Sequence, residues 1–126
     1  MLLEMDLTEF SEKIHEGNKE KGFYNGEKKQ LGTMLMLVVS ELGEALEADR
    51  HSLKADLNYY ENILSTKHDF QIAFKEAIKD TVEDEIADSI IRLLDMCGYF
   101  HIDIQKHIDL KLKYNKNRGY RHGKKY

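Results

Sequence analysis

Two short acidic pairs, Glu41-Leu-Gly-Glu44 and Glu85-Ile-Ala-Asp88, offer the most legible chemistry in this proline-free chain. Residues three apart on a helix share a face, with Cβ atoms about 5–6 Å apart. Each pair therefore aims two carboxylates at one region, and if the two helices pack side by side, four converge. Like charges about 4 Å apart repel by about 4 kcal/mol per pair at an effective dielectric near 20, so such a cluster requires protons or cations. Mg²⁺ is the simplest answer, with Mn²⁺ as its alternative. Mg²⁺ takes carboxylate and water oxygens at about 2.0–2.1 Å and commonly bridges to substrate phosphates.

Competing chemistries lack their residues. The sequence holds no P-loop, no G-x-G-x-x-G and no G-x-S-x-G. A ferritin-like di-iron centre needs a Glu-x-x-His from each of two helices, and the chain has one such spacing, Glu12-Lys-Ile-His15. The remaining histidines are scattered, and His101 and His107 read as packing or surface residues. Cys97 is the only cysteine, which excludes an internal disulfide and argues against a Cys-based zinc site.

Charge is unevenly placed. From Lys106 to Tyr126 there are eight Lys and Arg against the single acid Asp109, a net +7, so the overall −4 leaves −11 for the rest. A carboxylate-only metal site with a basic, aromatic-rich tail suits phosphoanhydride hydrolysis. The metal would neutralise phosphate oxygens and help generate hydroxide, and Lys and Arg would stabilise charge developing on the leaving group. Two other readings stay open. The tail alone suits a non-catalytic nucleotide- or RNA-binding helical protein, whose affinity would be steeply salt-dependent. In a plain helical interaction module, the four acids would merely solvate helix faces.

The elements that position these residues read as helices throughout. A first helix runs from Leu7 or Thr8 to about Asn18, with Thr8 as cap and Phe10 and Ile14 on its apolar stripe. Asn18–Gly26 reads as a loop carrying Phe23 and Tyr24. A second helix follows from about Glu27 to His51, with Met34, Leu35, Val38, Leu42, Ala45 and Leu46 in one apolar arc and Glu41 on its shoulder. The spacer Leu53–Asp80 reads as one or two helices, with a turn at Ser65-Thr66 and a role in the core or in an oligomer contact. The next helix starts at a Thr81 cap and ends near Cys97 before Gly98. Val82, Ile86, Ile90, Leu93, Leu94 and Cys97 form its apolar face; Glu85, Asp88, Arg92 and Asp95 form the other, where Asp88 and Arg92 are spaced as an i,i+4 ion pair. A last helix spans Phe100 or His101 to about Tyr114, carries Ile102, Ile104, Ile108, Leu110 and Leu112, and leads into the tail. The 126 residues fit one domain, 1–126, with an all-α helical bundle of four to six helices. Hydrophobic residues at 41%, no apolar run near the ~18 residues of a membrane span and no secretory signal at the start predict a soluble, cytoplasmic protein with no membrane partner.

The order Glu41-x-x-Glu44, helical spacer, Glu85-x-x-Asp88 resembles that of the MazG-like nucleotide pyrophosphohydrolases, part of the all-α NTP pyrophosphatase superfamily. Three further stretches are similar: Asn18-Lys-Glu-Lys-Gly-Phe23 to the family's N-terminal loop, Lys111-Leu-Lys-Tyr-Asn115-Lys-Asn-Arg118 to its Lys/Asn/Arg segment, and Arg121-His-Gly-Lys-Lys-Tyr126 to its ending. The resemblance implies Mg²⁺-dependent attack of water at the α-phosphate of a nucleoside triphosphate, releasing a monophosphate and pyrophosphate. It implies Glu41, Glu44, Glu85 and Asp88 as catalytic metal ligands, with one of them or a neighbouring acid orienting the water. Lys111, Asn115, Arg118 and Lys124 would bind phosphates or sugar, and Phe23 or Tyr24 would stack on the base. It also implies a bundle whose core is completed by dimerisation, as a homodimer or homotetramer, and a nucleotide rather than a nucleic acid as partner. Two features depart from the family pattern. Ser40 stands where a further glutamate often precedes the first pair, and the 53–80 spacer is long.

Overall fold

The computed structural model describes residues 4–126, apart from the side chain of His122; Met1–Leu3, at the start of the segment inspected for a signal, lie outside the described residues. Among the described residues six α-helices are formed: α1 (Leu7–Glu20), α2 (Leu31–Arg50), α3 (Leu57–Lys67), α4 (Phe70–Ala77), α5 (Val82–Tyr99) and α6 (Ile104–Lys116), followed by a 3₁₀ turn at Tyr120–Gly123. Among the described residues there is no strand. None of their helices is long and apolar enough to cross a membrane.

Aspartates start four of these helices. Asp6, Asp56, Asp69 and Asp103 each accept a hydrogen bond from the backbone N–H three residues on, and each cap contributes about 1 kcal/mol. Asp6 thus takes the role expected of Thr8. The Thr8 hydroxyl instead donates to Asp103 Oδ1 at 2.7 Å and accepts from the Gln105 N–H at 3.0 Å, which ties α1 to the start of α6. That start is at Ile104 rather than Phe100 or His101, because the chain first passes through a left-handed His101 (φ 55°).

The chain divides into two compact units. One, Lys28–Leu93, holds α2, α3, α4 and the first part of α5. Helix α2 begins at Leu31, not Glu27. The turn between α3 and α4 lies at His68, which is left-handed (φ 51°). Ser65 and Thr66, expected to turn, stay helical and send their hydroxyls back to the Asn62 carbonyl. Val38, Ala48, Ile63, Ala73 and Ala77 are buried here. The connection after α2 is fixed by backbone bonds: Leu53 N–H donates to the Ala48 carbonyl, and Val82 N–H donates to the Leu53 carbonyl, both at 2.9 Å. These two bonds hold the end of α2 against the start of α5.

The apolar faces of this unit are not where the sequence pattern put them. Leu35, Leu42 and Leu46, expected inside, are exposed together with Val39 on α2; Ile86, Ile90 and Leu93 are exposed on α5. Conversely Glu85, on the face expected to be polar and outward, is buried, as is Ser89 one turn further on.

The other unit comprises residues 4–27 and Leu94–Tyr126. Here α1 packs so closely on α5 that a Cβ built on Gly98 would lie 2.6 Å from His15 Cβ and 2.7 Å from the Ser11 carbonyl oxygen. Gly98 therefore permits a close helix contact instead of ending the helix, and α5 continues to Tyr99. Asp95 binds the N-terminal segment: its Oδ1 lies 3.0 Å from His15 Nδ1, and its Oδ2 accepts from the Tyr24 hydroxyl at 2.6 Å.

Candidate metal centre

Glu41 sits mid-way along α2 on the line Met34, Val38, Glu41, Ala45, Ala48, which is the inward line of that helix. Glu44 lies three residues further on and is exposed. From α5, Glu85 faces the same place with only 6% of its surface exposed. Carboxylate oxygens of Glu41, Glu44 and Glu85 all lie within 4.8 Å of one another. Three of the four acids singled out by spacing are thus brought together. Asp88 is exposed and stands outside that group. Partial desolvation by the neighbouring protein, and then the charges of Asp84 and Glu41, hold its carboxyl above the usual aspartate value.

The electrostatics of the group are those of crowded anions. Partial burial pushes the Glu41 carboxyl up, but the hydrogen bond and charge of Arg92 outweigh this, and its pKa falls below the usual value. Arg92 Nε donates to Glu41 Oε1 at 2.8 Å, with 12% of the Glu41 side chain exposed. Arg92 therefore reaches across to α2 and does not form the i,i+4 pair with Asp88 expected from spacing. Glu85 has no such partner. Burial, then its contact with Glu44, raises its pKa from 4.5 to about 7. Its Oε2 is buried and makes no hydrogen bond, which is costly for an acceptor. The Ser89 hydroxyl does not relieve it, because it bonds back to the Glu85 carbonyl at 2.9 Å. Ser40, at the position where a further acid was noted as missing, donates its hydroxyl to the Leu37 carbonyl.

A carboxylate trio with an unsatisfied buried oxygen is a donor set that fits a hard divalent cation. Glu41, Glu44 and Glu85 are the residues that would hold it.

Two acids escaped the reading of spacing. Asp80 and Asp84 have carboxylate oxygens within 4.8 Å of one another and of Glu85. The left-handed Asp80 (φ 65°) turns its N–H onto Asp84 Oδ2 at 2.9 Å, while Thr81 Oγ1 caps α5 by accepting from the Asp84 N–H. Arg92 was also missed as a partner of Glu41. Its position seven residues after Glu85, two helical turns, was the available signal. An open cleft of about 290 Å³ beside the acids is lined by Glu44, Glu47, Ala48, His51, Leu53, Asp80 and Glu85.

The candidate nucleotide-binding residues lie in the other unit. Phe23 is 65% exposed on the loop after α1. Tyr24 is engaged: its ring stacks on Tyr99 at 5.1 Å, meets His15 edge-on at 4.6 Å, and burial with the Asp95 hydrogen bond drives its hydroxyl pKa far up. Lys111 and Arg118 flank the Tyr114 ring at 5.2 and 5.5 Å. The Asn115 Oδ1 is buried without a hydrogen-bond partner, beside a cavity of about 550 Å³ lined by Asp109, Leu112, Lys113, Asn115 and Lys116. Lys124 is exposed.

No protein-family model matches the chain, nor does any curated protein or any solved structure.

Proposed function

We propose that this single-domain chain is a Mg²⁺-dependent nucleotide pyrophosphohydrolase that cleaves a nucleoside triphosphate to the monophosphate and pyrophosphate. The observation that carries the reading is Glu85: a buried carboxyl with an unpartnered oxygen, placed beside Glu41 and Glu44. Water-exposed acids need no ion, whereas a buried, crowded one is stabilised by a proton or a cation. Bound Mg²⁺ would supply charge neutralisation at phosphate oxygens and a lower pKa for water. The chain's own residues do the rest. Glu41, Glu44 and Glu85 hold the ion with Asp88 at the margin, and Arg92 fixes the Glu41 carboxylate. An acid of the group that remains ionised orients the water. Lys111, Asn115, Arg118 and Lys124 bind phosphate or sugar, and exposed Phe23 is the better placed of the two loop aromatics to stack on a base.

The chain would act as a homodimer or a dimer of dimers. This is supported by two apolar ridges on Lys28–Leu93, Leu35/Val39/Leu42/Leu46 and Ile86/Ile90/Leu93, each exposed at helical spacing; contiguous apolar patches of this kind mark association surfaces.

A second reading, a nucleic-acid-binding helical protein, is favoured by the exposed Tyr114, Tyr120 and Tyr126 interleaved with the basic residues of the tail, since exposed rings offer stacking platforms to unpaired bases. The deciding experiment measures pyrophosphate release from a panel of ribo- and deoxyribonucleoside triphosphates, with Mg²⁺ or EDTA, for wild type and Glu41→Gln. Metal-dependent release that the substitution abolishes is expected. Silence across the panel, with tail-dependent and salt-sensitive RNA binding, gives the function to the second reading.

A further inference from the structure

The acids of Lys28–Leu93 form two groups that share one member. Glu41, Glu44 and Glu85 make the first; Asp80, Asp84 and Glu85 make the second, with the same 4.8 Å limit on the separation of their oxygens. The shared residue is the buried one, and its Oε2 is the atom left without a partner. The cleft of about 290 Å³ is lined by Glu44 from the first group, Asp80 from the second and Glu85 from both. A water molecule takes about 30 Å³ of liquid, so this space accommodates an ion with several waters or phosphate oxygens.

Charge points the same way. Arg92 pairs with Glu41 and Lys79 with Asp80, which leaves three formal negative charges on the five acids, and Asp88, near enough to Asp84, Glu41 and Glu44 for their charges to raise its pKa, adds a fourth. One divalent cation leaves the centre still negative and repulsive to a polyphosphate. A second neutralises it.

We propose that the centre binds two divalent cations bridged by Glu85, the first on Glu41, Glu44 and Glu85 and the second on Asp80, Asp84 and Glu85. This rests on the metal-dependent reading above and extends it to Asp80 from the turn before α5 and Asp84 from its first turn. A bridged pair is the arrangement that clamps both the attacking and the leaving oxygen of an in-line displacement at phosphorus.

The test uses the full chain and Mn²⁺ alone, with bound ions counted by electron paramagnetic resonance of the free Mn²⁺ signal. Wild type binds two per chain, and the bound spectrum shows spin coupling between them. Asp80→Asn/Asp84→Asn binds one, uncoupled. Both changes keep the fold: asparagine tolerates the left-handed backbone at position 80, and the amide oxygen at position 84 still accepts from the N–H at 80. Thermal unfolding verifies this. Glu41→Gln/Glu44→Gln also loses one ion, and Glu85→Gln loses the coupling and weakens both sites. Two coupled ions retained by Asp80→Asn/Asp84→Asn, or a single ion in wild type, overturns the second site. The metal-dependent reading survives that result when Glu41→Gln/Glu44→Gln still loses an ion. Should wild type bind none, or should neither double substitution change binding, both the reading and the proposal fall.

Discussion

Replacing Glu85 by glutamine removes the one buried carboxyl of the centre and keeps its shape. In the unfolded chain this group ionises near 4.5; in the fold, burial and Glu44 raise it to about 7. Between those values the folded state still holds a proton that the unfolded state has lost, so metal-free stability falls as pH rises from 4.5 towards 7, and above 7 the loss is complete. At about 1.4 kcal/mol per tenfold change in proton affinity, the full loss is about 3 kcal/mol, with only about 1 kcal/mol of it incurred near pH 5. For a chain of this length each kcal/mol moves the unfolding temperature by roughly 3–4 °C. The assay is thermal unfolding by circular dichroism near pH 5 and pH 8, in EDTA and in Mg²⁺. In EDTA, Glu85→Gln exceeds wild type by about 10 °C at pH 8 and by a few degrees near pH 5. Saturating Mg²⁺ closes the gap at pH 8 by stabilising wild type, at about 2.7 kcal/mol for a hundredfold excess over Kd, and has little effect on the variant. Equal pH dependence of the two proteins in EDTA, or equal Mg²⁺ stabilisation, would refute the account of Glu85 as a buried acid awaiting a cation.

Three further outcomes are expected. Arg92→Gln removes the counter-charge of Glu41, so the Glu41 pKa rises, and metal-free stability at neutral pH drops by about 1 kcal/mol, reduced by the exposure of the guanidinium; a pH titration of chemical stability reads both changes. Gly98→Ala forces a methyl group into His15 and the Ser11 carbonyl and costs about 3 kcal/mol, seen as a lower urea midpoint with an unchanged slope. Leu42→Glu with Ile90→Glu places charge on both exposed ridges and converts the proposed dimer to a monomer in sedimentation velocity, while the helical content stays constant.

The helical class and the approximate site of every helix were legible because apolar periodicity survives in single segments. Their ends were less so. The connectors at Ser52, His68, Asp80 and His101 adopt left-handed backbone without glycine, and the chain has no proline to mark a boundary. Gly98, read as a stop, is instead required by a neighbour distant in sequence. The larger divergence concerns α5. A helical wheel identifies an apolar face but says nothing of what that face meets, and here Ile86 and Ile90 lie outside while Glu85 lies inside.

The same limit explains which acids were found. Spacing rules for helices find Glu41 with Glu44 and Glu85 with Asp88, because i,i+3 positions share a face whatever surrounds them. They also pair Arg92 with Asp88. Once folded, the guanidinium meets the nearly buried Glu41 carboxylate from the neighbouring helix, where attraction is less screened by water than at exposed Asp88. Asp80 is invisible to such rules for a different reason: it belongs to a connector. Only its left-handed backbone turns its N–H onto Asp84 and gathers both carboxylates beside Glu85. The acids grouped by helix spacing alone number three; Asp80, in the turn before α5, and Asp84, in its first turn, bring the number to five, and with it a negative charge that a single divalent ion would not balance.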